Sequence, residues 1–489
     1  MSKPTIKTLG ALKKSGYKSR TIKEELRENL IAKLQKNETI FKGIIGFDET
    51  VLPDIERAIL SQHNILLLGL RGQAKTRIAR MMTQLLDEYM PIVAGSEIHD
   101  DPMQPLSRYA IDVIEEKGDK TPVDWIHRDE RFVEKLATPD VSVADLIGDV
   151  DPIKAASLKL SYADERVIHF GLVPRAHRSI FVLNELPDLQ ARIQVSLFNI
   201  LQEGDLQIRG FKLRFPLDIQ FVFTANPEDY TNRGSIVTPL KDRIESQILT
   251  HYPKELDIAL AITEQEARMS ENQKETISVP DEIKQILELV SFKARESDYI
   301  DEKSGVSARL SISARENLVS SAERRMYVNG DSSTTVRLTD FWGVVPAITG
   351  KVELVYEGEQ MGVYEVAIDL IDKAIKDLFL QIFPDPNRTV KMNDKDPYGV
   401  VKAFFAGGNV VDLLNDDNEE VYRAKLDDIQ GLDKVLKKYA AGTGLPYFYK
   451  ELILHGLAAA EVIGKNVLDK QFSFSDPLAD MFGDLDDEG

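Results

Sequence analysis

Three short runs carry the residue types that can hold and cleave a phosphate group. The first is Gly69-Leu70-Arg71-Gly72-Gln73-Ala74-Lys75-Thr76. A glycine loop ending in Lys-Thr can turn backbone N–H groups toward an anion. It also sets the Lys75 ammonium near the outer phosphates and the Thr76 hydroxyl where it can ligate Mg²⁺. Ala74 stands where a second glycine is usual, and its methyl group fits if the residue keeps φ below zero.

The second run is residues 179–185, Ser-Ile-Phe-Val-Leu-Asn-Glu. A polar pair at the carboxyl end of a buried strand, beside such a loop, is where a metal ion and an attacking water are handled. Glu185 is the candidate for orienting and polarising that water. Asn184 occupies the place of a metal-associated aspartate; its amide oxygen accepts hydrogen bonds without bringing charge, which predicts weaker metal affinity. The third run ends in Asn226, at the tip of the apolar stretch 219–225, where an amide can hydrogen-bond the water or the outermost phosphate. Read alone, the first run is also compatible with a fortuitous glycine-rich turn, and Glu185 with a plain strand-end carboxylate.

These groups meet only if the strands that carry them are neighbours. Residues 65–68 have the length and composition of a buried strand, and beyond the loop Ile78, Met81, Met82, Leu85 and Leu86 recur at helical spacing. Residues 91–98, 180–183, 219–225 and 247–252 read as four more strands with helical connections. That inventory predicts an α/β fold with a five-stranded parallel sheet. Upstream, Ile44 and Ile45 either flank a bound base or pack the core. About residues 99–173 form a long insertion, expected to project from the core, with 141–150 and 165–173 as small helical and strand pieces. After a helix stripe of Ile193, Leu197, Ile200 and Leu201, the alternating stretch 206–215 around Gly210 reads as a β-hairpin.

Residues 1–40 predict a helix that packs Leu26 and Leu30 on the next domain and leaves a solvated basic face. Helices at 281–290 and 312–326 predict a small α-helical domain over 256–350, within which Asp331-Ser332-Ser333-Thr334-Thr335 reads as a turn rather than a metal-adhesion motif. Residues 351–472 read as a mostly helical domain with its strongest helix at 362–380. The acidic segment 473–489 is either a solvating tail or a docking peptide using Leu478, Met481 and Phe482. A chain of 489 residues has room for about three domains. Its formal net charge of −19 argues against broad nucleic-acid binding, and the absence of cysteine excludes disulfides, thiolate zinc sites and cysteine nucleophiles. With no membrane-length apolar run and no signal peptide in view, a cytoplasmic location is expected.

In this order the motifs resemble the AAA+ ATPases, and more narrowly the branch holding the magnesium-chelatase ATPase subunit and the MoxR-type ATPases. The likeness spans about residues 40–330. It rests on IIGFDETVLPDIERAIL ahead of GLRGQAKT, then GLVPRAHRSIFVLNE, EGDLQIRG, TANPEDY and PLKDRI. It implies a P-loop AAA+ core over 41–255, a helical lid over 256–350, and ATP and Mg²⁺ as cofactors. Gly69, Arg71, Gly72, Gln73, Ala74, Lys75, Thr76 and Arg77 would then contact the nucleotide, with Ile44 and Ile45 beside the base. Lys75 and Thr76 match the Walker A pair, Asn184 and Glu185 match Walker B, and Thr76 and Asn184 face the metal. Asn226 matches sensor 1, Arg243 the arginine finger that reaches a neighbouring subunit's ATP, and Arg315 the sensor-2 arginine, with Arg309 close by. The segment after Asp145 resembles the helix-2 insert, and 205–214 the pre-sensor-1 hairpin.

The likeness further implies a ring, six subunits being the expected number, whose ATP hydrolysis remodels a partner protein. Members of this branch often act on partners with von Willebrand A domains; this chain has no convincing one, so the partner would be separate. A magnesium-chelatase motor subunit is the alternative in the same class. An AAA+ transcription activator is disfavoured by the lack of a GAFTGA-type loop and a helix-turn-helix. Asn184 favours a third alternative, an ATP-gated assembly module with little turnover.

Overall fold

A computed structural model of the chain describes residues 3–162, 164–203, 205–206, 208, 215–227, 235–391, 396–468 and 471–477. The first of two units, residues 1–251, opens with helices α1 (Leu9–Lys14), α2 (Ile22–Gln35), α3 (Val51–Leu60) and, after the first strand, α4 (Lys75–Met81). Its strands are β1 (Ile65–Leu68), β2 (Tyr89–Val93), β3 (Val123–His127), β4 (Phe132–Leu136), β5 (Gly148–Val150) and β6 (Ile168–Phe170). They continue with β7 (Ser179–Asn184), β8 (Asp205–Leu206), β9 (Phe215–Pro216), β10 (Ile219–Ala225) and β11 (Ser246–Leu249).

Five strands form one wholly parallel sheet in the order β11-β1-β10-β7-β4. The central strands β1, β10 and β7 are buried from end to end, the continuous apolar run that a parallel strand covered on both faces requires. Because successive side chains alternate between faces, each of these strands feeds two cores. Ile65, Leu67, Ile180, Val182 and Val222 lie on one face, with Leu26 and Leu30 of α2, Ile55 and Ile59 of α3, and Ile78 of α4. Leu66, Leu68, Phe181, Leu183, Phe221 and Phe223 lie on the other, packed with Leu146, Ile168, Ile193 and Leu197. The amino-terminal helix packs on the core as expected.

The expected α/β core with a five-stranded parallel sheet is therefore present, but one strand differs. The segment expected at 91–98 is a strand over Tyr89–Val93, paired antiparallel with β3 in a two-stranded ribbon of its own. The fifth strand of the sheet is instead β4, from inside the insertion. Its Phe-Val-Glu-Lys-Leu sequence is only partly buried, as an edge strand allows. The insertion thus completes the sheet as well as carrying smaller pieces. Arg131, fully buried just ahead of β4, fastens it by two 2.7 Å hydrogen bonds to the Glu25 carboxylate of α2. The pieces expected at 141–150 and 165–173 include a helix at Val143–Leu146 and the antiparallel pair β5 and β6, and further helices lie at Arg108–Lys117 and Pro152–Leu158. The expected hairpin keeps its base, β8 against β9, while residues 209–214, including Gly210, lie outside the described residues.

The second unit, residues 252–489, holds the helices Asp281–Glu296, Arg309–Asn329 and Val363–Ile382, which share one core running from Ile277 to Phe474. Gly330, at φ 72, closes the second of these helices, and the chain then enters β13 (Thr334–Thr335), parallel to β12 (Ile277–Ser278). Residues 331–335 thus form the expected turn, followed by a short strand. The carboxyl-terminal part is not only helical. Strands β14 (Val411–Leu413), β15 (Gly464–Leu468) and β16 (Gln471–Ser475) form an antiparallel sheet in the order β14-β16-β15. The segment expected to be a tail from 473 begins inside β16, with Phe474 fully buried; Leu478, Met481 and Phe482 lie outside the described residues. Glu451 is buried in this unit, accepting from Tyr422 Oη at 2.7 Å and from the backbone N–H groups of Leu338 and Thr339. Burial pushes its carboxyl up to about 7. Among the described residues, no helix is long and apolar enough to cross a membrane.

Candidate functional site

The parallel strands β1, β10 and β7 are immediate neighbours and point the same way, so whatever follows them emerges along one edge. That edge receives the glycine loop after β1, Asn226 after β10, and Asn184 and Glu185 at the end of β7.

Close packing shapes the loop. A Cβ at Gly69 would overlap Thr250 Oγ1 and Gln73 Oε1, which themselves hydrogen-bond at 2.6 Å. Gln73 is buried, and its amide oxygen ties the loop to the residue after β11. Ala74 overturns the expectation made for it: its φ is +56, in the left-handed region. That conformation costs an L-residue about 1–2 kcal/mol. The Ala74 carbonyl there accepts from Ile78 N–H at 2.9 Å and starts α4.

Lys75 is buried, and its ammonium donates to the Gly69 carbonyl, to Leu70 O at 3.0 Å and to Asn226 Oδ1 at 2.7 Å. The other end of the Asn226 amide, Nδ2, donates to Glu185 Oε2 at 2.9 Å. One amide thus links the expected phosphate-binding ammonium to the expected water-polarising carboxylate. Glu185 has φ 54, an observed strain at the strand end, and its N–H donates to Thr224 Oγ1 at 3.2 Å. Thr224 donates in turn to Asn184 Oδ1 at 3.0 Å, the same oxygen that receives the Thr76 hydroxyl at 3.3 Å. The far end of Asn184, Nδ2, donates to Glu134 Oε1 on β4 at 2.7 Å.

Sequence reasoning did not single out Glu134 or Thr224. Glu134 lies in the insertion; the only signal was the short Phe-Val-Glu-Lys-Leu stretch after Arg131. Thr224 sits two residues before Asn226, inside a run whose apolar neighbours drew the reading.

The donor set suits a hard divalent cation. The Thr76 hydroxyl and the Asn184 amide oxygen are neutral oxygen donors, with the Glu134 carboxylate one hydrogen bond behind Asn184. Among the described residues, no group of three or more His, Cys, Asp or Glu side chains is placed to hold a metal. A cation here would take most of its ligands from phosphate and water, as Mg²⁺ commonly does.

The other expected residues are placed separately. Ile44 is buried in the core with α2 and α3, while Ile45 is half-buried; glycines with positive φ, Gly43 and Gly46, flank the pair. Arg71 and Arg77 are exposed. Arg243 lies just before β11, at the amino end of the sheet, whereas Lys75 follows the carboxyl end of the parallel neighbour β1. Its guanidinium lies over the Phe198 ring at 5.0 Å and donates to Gln202 Oε1 at 3.1 Å. Arg315 belongs to the second unit, where it pairs with Glu264 at 2.8 Å and buries an Nε that has no hydrogen-bond partner. Arg309 is exposed.

Residues 158–247 match the Sigma-54 interaction domain family, an interval that takes in Asn184, Glu185, Asn226 and Arg243. Among solved structures, NtrX from Brucella abortus in complex with ADP is similar at 12% identity over 75% of this chain and 70% of that one, with a TM-score of 0.38. The complex between subunits BchI and BchD of magnesium chelatase gives 19% identity over 66% and 98%, with a TM-score of 0.33. A RuvB mutant from Thermotoga maritima gives 10% over 82% and 93%, at 0.32.

Proposed function

We propose that this chain is an AAA+ ATPase of the branch that includes the magnesium-chelatase ATPase subunit and the MoxR-type ATPases, and that it hydrolyses ATP with Mg²⁺. The observation that carries this reading is the hydrogen-bonded line Lys75–Asn226–Glu185 across the ends of β1, β10 and β7. In the reaction, Lys75 exchanges its loop carbonyls for the outer phosphates. Glu185 orients and polarises a water molecule, and Asn226 holds that carboxylate at its place between the two. Thr76 and Asn184 are the residues that would hold the cation, which would supply charge neutralisation at the phosphate oxygens. Arg243, at the sheet end away from its own loop, serves the ATP of an adjacent subunit, and Arg315 takes the sensor-2 role on the strength of the sequence likeness alone. Gly69, Arg71, Gly72, Gln73, Ala74 and Arg77 shape or line the nucleotide site.

On this reading the working form is a ring, six subunits being the expected number, in the cytoplasm. It remodels a separate partner protein, a von Willebrand A domain protein being the class expected from the sequence likeness; a motor subunit for porphyrin metallation is the alternative. The uncharged Asn184 favours a second reading, an ATP-gated assembly module with little turnover. ATPase rate against protein concentration, beside Glu185→Gln, separates the two. A specific rate that rises with concentration and vanishes in the variant supports the ATPase. Tight ATP binding with no turnover at any concentration replaces it with the gated module.

A further inference from the structure

We propose that Glu134 is a positioning residue for the metal side of this site: it fixes which end of the Asn184 amide faces Thr76, and it restores the negative charge that Asn184 lacks. The inference rests on the ATPase reading above and concerns a residue which that reading does not use.

An asparagine amide has a donating end and an accepting end of nearly the same shape, so its neighbours decide its orientation. An ionised carboxylate only accepts. Glu134 Oε1, 2.7 Å from Asn184, therefore demands Nδ2 and leaves Oδ1 for the hydroxyls of Thr76 and Thr224. With the amide reversed, two N–H groups would point at Thr76 and repel any cation bound there. Glu134 is held in turn from its other oxygen by Arg80, at 2.7 Å. Thr76 and Arg80 are four residues apart, on one side of α4. One helix face therefore grips both ends of the Glu134–Asn184 pair, and the α4 backbone between Thr76 and Arg80 closes the circuit. The carboxylate sits one hydrogen bond behind the position where an aspartate at 184 would have carried its charge.

A plain strand-to-helix ion pair between Glu134 and Arg80 would contribute little and would leave metal affinity untouched. The test is Mn²⁺ binding to the full chain with ADP present, read by electron paramagnetic resonance, beside ADP affinity measured in excess chelator. Glu134→Gln is expected to weaken Mn²⁺ binding by about 10- to 100-fold, the usual effect of losing the partner of a metal ligand, with ADP affinity in chelator unchanged. Asn184→Ala, which spares the Glu134–Arg80 pair, is expected to lose as much. The double variant Glu134→Gln/Asn184→Asp, which moves the charge from one strand to the next, is expected to recover most of the loss. Unaltered Mn²⁺ binding in Glu134→Gln, or a double variant no better than the single, overturns the proposal. Should the wild-type chain bind no ADP with or without metal, the ATPase reading itself has failed, and the proposal falls with it.

Discussion

The Asn226 amide donates to Glu185 Oε2 across 2.9 Å, joining β10 to β7 through the two groups proposed to handle the attacking water. Removing the donor should leave nucleotide binding intact and misdirect the carboxylate. Asn226→Ala is expected to lower turnover by about 10²-fold, and Glu185→Gln by about 10²–10⁴-fold, the range for loss of general-base assistance. Phosphate release at saturating ATP, beside binding of a fluorescent ATP analogue, checks both.

Lys75 is expected to govern affinity as well as rate. Hydrogen bonds to a charged group are worth about 1.5–3 kcal/mol, so Lys75→Ala should weaken ATP binding by at least about tenfold and abolish detectable turnover. Calorimetric titration with ATP is the measurement, and an unchanged affinity would place the phosphates elsewhere.

Arg243 stands at the wrong end of the sheet to serve its own loop. Arg243→Ala should spare ATP binding in dilute protein and reduce turnover by about 10³-fold or more in the assembled form, the scale of an arginine acting on a neighbour's phosphates. Mixing Arg243→Ala with Lys75→Ala subunits offers a second check. If the arginine acts in trans, mixed assemblies regain interfaces that pair an intact loop with an intact arginine.

The left-handed Ala74 is the clearest local strain in the loop. Glycine adopts φ +56 without the steric penalty, although it gives back part of the gain through a freer unfolded chain. Ala74→Gly is therefore expected to stabilise the protein by about 0.5–1 kcal/mol. Urea unfolding compared with wild type decides it; a loss of stability would mean that the methyl contact outweighs the backbone term.

Glu451 gives the second unit a signed pH dependence. Its carboxyl ordinarily titrates near 4.5, and burial raises it to about 7, so between these values the folded state keeps a proton that the unfolded state has lost. Its contribution to stability is complete below about pH 4.5 and is lost as pH rises through 7. Glutamine carries no charge at either end of the window. The stability of Glu451→Gln relative to wild type should therefore rise by on the order of 3 kcal/mol between pH 4.5 and 8, measured by denaturant unfolding at each pH.

Much of this arrangement was legible in the sequence because central parallel strands must be apolar throughout. Residues 65–68, 180–183 and 219–225 could hardly be anything else, and the polar residues that end them had to emerge together. The edge strand β4 escaped for the opposite reason. An edge needs little apolar content, and Phe-Val-Glu-Lys-Leu is too short and too charged to stand out from its insertion. Glu134 was hidden with it. The apolar stretch near residue 91 was wrongly placed in the sheet because hydrophobic content predicts burial and not which partner a strand will choose. Ala74 was misread because side-chain identity argues for a negative φ, while the loop's own closure decides the sign.

Strand order also ranks these side chains by how readily they come loose. β1, β10 and β7 each have a strand on both sides, whereas among the described residues β4 has a neighbour only in β7. Fluctuations that stop short of unfolding start where partners are fewest. A brief detachment of β4 would withdraw Glu134 while Lys75, Asn226 and Glu185 kept one another. Amide hydrogen exchange faster at 132–136 than at 180–184 would be its signature. Grip on the metal and readiness for hydrolysis would then melt separately, giving the molecule a state that still embraces nucleotide after its hold on the cation has slackened.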